Sequence, residues 1–295
     1  MEIINTNIKP VLKWVGGKRE LIPEIKKFYQ KIEFNKYIEP FFGGGSVYLD
    51  IIEKFGIEKS NLSIINDVNT DLIEMYRNIK DTPEKIIENC DKLEKDYLKY
   101  GYYHIRDRFN GIDRNKNKVD RYEGIQRSSS LILLNRTCFN GLYRTNKNGL
   151  FNVPEGRYTN PKIINKENLL QLSRVLPPVK NILNQNFNTI KQIEKGDLVY
   201  FDPPYHPLNE TSSFTDYSGV FGIQEQLLLR DYFVELDKKG VFLIQSNSSS
   251  NFIKEIYSDF NLIEVKCSRN INSKSENRGK ISEFLIIGNT LFKTL

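Results

Sequence analysis

The stretch from Gly196 to Tyr205 constrains the fold of this chain more than any other. Gly196-Asp197-Leu198-Val199-Tyr200-Phe201 is a turn followed by an apolar run without polar alternation, the pattern of a strand buried on both faces in a parallel sheet. Pro203 and Pro204 cannot donate to a ladder, so the chain leaves the sheet at Asp202. An acid, a proline-fixed carbonyl and the Tyr205 ring then stand at the carboxyl end of a strand, where open α/β sheets bind ligands. Asp202 and a backbone carbonyl suit the two protons of an exocyclic amine, and Tyr205 suits stacking on a flat nitrogenous ring. The plain alternative is a proline-rich turn with an exposed acid.

A second signal lies near the N-terminus. Tyr37-Ile38-Glu39-Pro40-Phe41-Phe42-Gly43-Gly44-Gly45-Ser46-Val47 reads as strand, glycine turn and helix, with glycines that let backbone amides approach a ligand closely. Leu62-Ser63-Ile64-Ile65-Asn66-Asp67 reads as a second strand ending in an acid, 22 positions after Gly45. A carboxylate there is placed to hold a ribose diol. Position 48 is Tyr, which breaks the dinucleotide fingerprint G-x-G-x-x-G and favours an adenosyl ligand other than NAD.

Strand character recurs at about 36–41, 62–66, 181–187, 197–201, 241–245, 261–266 and 282–287. Helices are expected at about 46–54, through Leu72, Met75, Tyr76 and Ile79, across most of 84–136 apart from a polar Gly111-to-Lys118 loop, and at about 223–237. Residues 137–162 read as loop and short hairpin. Alternating strands and helices imply a largely parallel, doubly wound sheet, and the closely spaced final pair implies an antiparallel edge. A length of 295 residues suits one large domain and a smaller one.

Charge separates these parts. The net charge is +6, yet residues 99–180 carry 16 Lys and Arg against 6 Asp and Glu, while the remainder carries 27 against 31. A basic block with Phe139, Tyr143, Phe151 and Tyr158 among its arginines fits a polyanion with stacking bases, although a charge excess is also what a solvated face presents. Cys90, Cys138 and Cys267 lie far apart, as buried or half-buried free thiols would, and His104 and His206 form no cluster. No metal is expected from that inventory. No apolar stretch has the length of a membrane span, and Met1 to Lys9 lacks an apolar signal segment, so a cytoplasmic location is expected.

The motifs in their order resemble the Dam-type, GATC-modifying family of S-adenosylmethionine-dependent DNA adenine-N6 methyltransferases over roughly residues 11 to 287. The resemblance rests on Leu12-Lys13-Trp14-Val15-Gly16-Gly17-Lys18, the Glu39-to-Ser46 turn, Asn66-Asp67-Val68-Asn69 and Asn135-Arg136. It continues through Phe139-Asn140-Gly141-Leu142-Tyr143-Arg144, Phe151-Asn152-Val153-Pro154, Gly156-Arg157-Tyr158, Asp202 to Tyr205 and Ser246-Asn247.

The resemblance implies a Rossmann-like methyltransferase sheet of seven strands with an inserted, mostly helical target-recognition domain. Residues 1–70 and 180–295 would form the catalytic and cofactor-binding domain, and 71–179 the recognition domain. It further implies methyl transfer from S-adenosylmethionine to a flipped adenine in duplex DNA, with GATC as the expected site and GATATC as the runner-up. Asp202, Pro203, Pro204 and Tyr205 would be catalytic. Trp14, Lys18, Phe41, Gly43, Gly45, Asp67, Phe187 and Asp202 would hold the cofactor. Lys13, Phe139, Asn140, Leu142, Arg144 and Pro154 would contact DNA, and Tyr143, at a variable family position, carries no assigned role. Relatives with Tyr in place of Phe139 have a hydroxyl that this chain lacks. A restriction endonuclease is an expected functional partner. An RNA or protein-glutamine methyltransferase is the competing enzyme reading, although glutamine methylation goes with Asn in place of Asp202; a non-catalytic DNA-binding protein is the other.

Because Lys and Arg displace counterions from phosphates, duplex affinity should fall by orders of magnitude between about 50 and about 200 mM salt. Anisotropy titrations across that range test this; salt-independent affinity would contradict the polyanion reading.

Overall fold

A computed structural model describes residues 8–159, 161–208, 221–268 and 280–295. The N-terminal residues 1–7, on which most of the signal-segment reading falls, lie outside these, as does the side chain of Cys267. The strands are β1 (Tyr37–Glu39), β2 (Ile64–Asn66), β3 (Ile182–Leu183), β4 (Leu198–Phe201), β5 (Phe242–Ser248), β6 (Asn261–Ser268) and β7 (Lys280–Ile287). The helices are α1 (Ile22–Tyr29), α2 (Ser46–Phe55), α3 (Ile57–Leu62), α4 (Thr70–Asp81), α5 (Pro83–Tyr100) and α6 (Tyr102–Asn110). They continue as α7 (Gly124–Thr137), α8 (Lys166–Val175), α9 (Ile223–Lys238), α10 (Asn251–Ile256) and α11 (Asn289–Thr294).

The seven-stranded sheet has the order β3-β2-β1-β4-β5-β7-β6, which makes this a mixed α/β fold. β1 runs parallel to β2 and β4, and β4 runs parallel to β5. β7 is antiparallel to both β5 and β6, so the expected antiparallel pair is present with the last strand inserted inside the edge. All four residues of β4 are buried, as its unalternating apolar run requires.

The chain divides into two compact units. One comprises Met1–Gly17, Gly43–Asn61 and Asp67–Asn184; the other comprises Lys18–Phe42, Leu62–Asn66 and Gln185–Leu295. In the first, α7 packs against α4, α5 and α6. Asn69 caps α4 by accepting from the Leu72 amide at 3.1 Å, and Leu72, Met75, Tyr76 and Ile79 form its buried stripe. Pro83 opens α5, where a missing N–H costs nothing. Tyr48 is fully buried, and its hydroxyl meets Ser60 Oγ at 2.9 Å, so the position that breaks the dinucleotide fingerprint is a packing position. Cys90 and Cys138 are buried free thiols, pushed up to about 12 and about 11 by desolvation. In the second unit α9 and α11 pack on β5.

The expected strand at 181–187 is cut to two residues. Asn184 gives its side-chain amide to the Asp67 carbonyl at 2.8 Å, and Phe187–Thr189 closes into a 3₁₀ turn. Polar side chains there take backbone groups that a ladder would need. Helices α1, α3, α8, α10 and α11 are additions to the sequence reading; three of them have only six residues, too few for periodicity to register.

Leu198 is 1% exposed and pairs in register with Tyr37 and Phe242. Leu198→Ala should lower unfolding stability by about 2–5 kcal/mol through lost contact and a residual cavity. Urea denaturation measures it; a loss under ~1 kcal/mol would mean that the strand is not a core element.

Candidate active site

Asp202 leaves β4 with its side chain 21% exposed. Lys18 Nζ lies 2.8 Å from Asp202 Oδ1 and 4.7 Å from the Tyr205 ring centroid. Ser246, on β5, donates to the same carboxylate oxygen at 3.0 Å, and Tyr200 OH stands 2.9 Å from Ser246 Oγ. Desolvation raises the Asp202 pKa; Lys18 and the Ser246 hydroxyl pull against it without cancelling it.

Tyr205 donates to Glu283 Oε2 at 2.8 Å, and burial with two neighbouring carboxylates pushes its phenol well above the ordinary range. The proline pair is also held. Gln226 Nε2 donates to the Pro204 carbonyl at 2.8 Å, and Asn247 Nδ2 donates to Gln226 Oε1 at 3.1 Å. Pro203 is buried and Pro204 exposed.

In the same unit Phe41 and Phe187 lie 5.2 Å apart between ring centroids, and Phe221 meets them at 5.7 and 6.0 Å. Phe187 is 5% exposed and Phe41 half-buried.

In the other unit the glycine turn is built around an acid. Asp67 accepts from the Gly43 amide at 3.0 Å and from the Asn69 amide at 2.9 Å. Burial raises its pKa, and the amides of Asn69, Gly43 and Val68 oppose that rise. Gly43 has φ +49° and Gly45, the N-cap of α2, has φ +69°. A Cβ on Gly43 would lie 2.7 Å from Trp14 Cδ1, so both backbone angle and contact demand glycine there. Trp14 is half-buried and stacks on Tyr143 at 5.5 Å and 27°.

The residues expected to contact DNA fall in this unit and gather on one hairpin. Antiparallel bridges Cys138↔Glu155 and Thr145↔Phe151 close it, and the Phe139 amide donates to the Pro154 carbonyl at 2.9 Å. Phe139 is 46% exposed, not an ordinary core aromatic. Asn140, exposed, adopts φ +55°. Leu142 is half-buried, and Arg144 and Pro154 are exposed. Arg144 Nε donates to Asn152 Oδ1 at 2.8 Å, which orients its guanidinium.

Lys13 joins this group. Its backbone amide donates to Asn135 Oδ1 at 2.7 Å, and Asn135 Nδ2 donates to the Lys13 and Gly141 carbonyls at 2.9 and 2.8 Å. The Lys13 ammonium sits 4.4 Å over the Tyr158 ring.

Glu283, Tyr200 and Gln226, and the contacts made by Ser246 and Tyr143, come to light only in the structure. Glu283 had a signal, a lone acid inside the apolar run Ile281-Ser282-Glu283-Phe284-Leu285. Among the described residues, no group of three or more His, Cys, Asp or Glu side chains could hold a metal ion. No helix among them is long and apolar enough to cross a membrane.

A family model described as D12 class N6 adenine-specific DNA methyltransferase matches residues 14–271. The chain is 39% identical over 283 residues to the Type II methyltransferase M1.LlaDCHI of Lactococcus lactis subsp. cremoris, covering 95% of each protein. It is 41% identical to the Type II methyltransferase M.MjaIII of Methanocaldococcus jannaschii, covering 95% of this chain and 99% of that protein. The DNA adenine methylase of Haemophilus influenzae is 32% identical, with 95% of this chain and 93% of that protein covered.

The Asp202 environment makes a titration prediction. Its raised pKa means that the ionised, fully accepting carboxylate is lost as pH falls through a midpoint above the ordinary value of about 3.9. Lys18→Ala removes the largest opposing influence, so the midpoint should climb further. Carbon-13 NMR of the Asp202 carboxyl reads both; a midpoint unchanged in Lys18→Ala would show that the ion pair does not control this acid.

Proposed function

Since the chain belongs to the D12 class of N6 adenine-specific DNA methyltransferases, we propose that it methylates the adenine of GATC in duplex DNA, with S-adenosylmethionine as methyl donor. The observation that carries this reading is the Asp202 carboxylate at the exit of β4, anchored by Lys18 and Ser246 beside the Tyr205 ring.

The adenine amine is a poor nucleophile because its lone pair is delocalised into the ring. Asp202 and the Pro203 carbonyl accept hydrogen bonds from its two N–H groups, which draws the nitrogen toward a pyramid and turns the lone pair out of the ring plane; once methylated, the cationic nitrogen is acidic and releases one proton. The arriving amine meets a carboxylate with one oxygen already engaged by Lys18 and Ser246, which keeps that oxygen in place. Tyr205, fixed by Glu283, stacks on the extruded base. No nucleophilic side chain is needed, because positioning supplies most of the rate.

The residues present fit an adenosyl sulfonium donor. Asp67 on its amide-lined turn suits the ribose hydroxyls, Gly43 and Gly45 allow close backbone approach, and Trp14 borders that turn. In the other unit Phe41 and Phe187 offer an aromatic surface of the kind an adenine ring stacks on, and Lys18 is assigned to the cofactor by the family resemblance alone. When bound, S-adenosylmethionine supplies a methyl group on a good leaving group.

Residues 71–179 are assigned to target recognition. There Lys13, itself outside that range but tied to the hairpin through Asn135, joins Asn140, Leu142, Arg144 and Pro154 as base-reading candidates, with Phe139 filling the opened step. Arg144, already oriented by Asn152, is assigned a bidentate contact to the guanine of the outer pair. Two relatives are named Type II methyltransferases, which favours a role beside a cognate restriction endonuclease.

A methylome of cells expressing the protein, read by single-molecule sequencing, tests the target. Modified adenines confined to sites lacking GAT would overturn the GATC assignment, and GATATC alone would replace it. Asp202→Ala should lower the single-turnover rate about a thousandfold or more while leaving DNA binding largely intact; a tenth of the wild-type rate would rule out its role. Arg144→Ala should relax preference at the outer pair, at a cost of about 1–3 kcal/mol there.

A further inference from the structure

Tyr143 has no place in the chemistry above, yet three lines of contact meet on it. Its ring stacks on Trp14 at 5.5 Å and packs edge-on to Phe151 at 5.7 Å. Its hydroxyl donates to Asp71 Oδ2 at 3.1 Å and also bonds the Asn69 side chain. Asp71 is in turn clamped by Arg127, with Nε at 2.6 Å and Nη2 at 2.9 Å, and that guanidinium lies 4.0 Å over Phe109.

These neighbours belong to two functional sets within one compact unit. Trp14 presses on the glycine turn, where a Cβ at Gly43 or Gly44 would come within 2.7 or 3.0 Å of it. Asn69 bonds Asp67 through its amide and caps α4 with its side chain. Phe151 pairs with Thr145 across the hairpin, and Arg144 follows Tyr143 directly. One side chain, carried on the strand of Arg144, therefore touches Trp14 beside the glycine turn, Asn69 beside Asp67 and Phe151 on the opposite strand of the hairpin.

We propose that Tyr143 is a positioning residue for methyl transfer, coupling adenosyl-ligand binding at the Gly43–Asp67 turn to the placement of the Arg144 hairpin on DNA. This rests on the cofactor and DNA assignments made under Proposed function. A ligand bound beside Gly43 and Asp67 restricts Trp14 and Asn69; both hold Tyr143, and Tyr143 holds the strand that carries Arg144. Ligand and DNA then order the same contacts, and whichever binds first lowers the ordering cost of the other.

The test is a binding cycle. Duplex affinity, for a DNA carrying the methylome-derived site, is measured with and without saturating S-adenosylhomocysteine in wild type, Tyr143→Phe and Tyr143→Ala. The ligand should tighten duplex binding about tenfold in wild type and less than about twofold in Tyr143→Ala. Tyr143→Phe keeps the ring and loses the hydroxyl, so its ratio should fall between them; it also serves where the alanine variant fails to fold. A purely structural role would weaken binding with and without ligand alike. An unchanged ratio in Tyr143→Phe together with Tyr143→Ala, or in Tyr143→Phe where it alone folds, overturns the inference. So does a ratio of one in wild type. Calorimetry of S-adenosylhomocysteine with wild type separates the causes: no binding removes the cofactor reading itself, whereas binding without coupling removes only the role of Tyr143.

Discussion

A half-buried carboxylate at the end of a buried strand needs partners to stay ionised, and the arrangement around Asp202 follows from that need. β4 is buried along its whole length, so its first polar side chain emerges into a desolvated setting. Lys18 supplies charge, and Ser246 from β5 supplies a hydroxyl backed by Tyr200. The same pressure acts three residues later, where the Tyr205 hydroxyl is satisfied by Glu283 from β7. Removing one member leaves another buried group without its partner, which is costlier than losing an exposed contact.

Asp67 solves the same problem differently. Among the described residues no cation is bonded to it; backbone amides donate to its oxygens, one of them from a glycine held at positive φ. Burial still raises its pKa, but the compensation is built into the main chain rather than into a side chain that can swing away. The two acids thus differ in kind. Asp202 is set by the side chains of Lys18 and Ser246, whereas Asp67 is part of the turn that it stabilises.

The hairpin that follows α7 has few ladder bonds and relies on side chains for its shape. Asn135 bonds the carbonyls of Lys13 and Gly141, Arg144 is oriented by Asn152, and Tyr143 anchors the middle to Trp14 and Asp71. Exposed Phe139, Asn140 and Arg144 are carried on this frame.

The resemblance of its motifs marked the family, and by itself the sequence also determined the strands around the glycine turn and Asp202 and the α4 stripe of Leu72, Met75, Tyr76 and Ile79. These are local properties: proline ends a ladder, apolar periodicity selects an element, and glycine permits a turn. Tertiary structure decided which cation faces Asp202, since Lys18 lies 184 positions away and no periodicity links the two. It likewise decided that Glu283 holds Tyr205, that β7 inserts between β5 and β6, that Tyr48 is core, and that Tyr143 joins Trp14 to Asp71. Pairings across long separations depend on how elements pack, because the energy of each contact exists only once burial has brought both groups out of water.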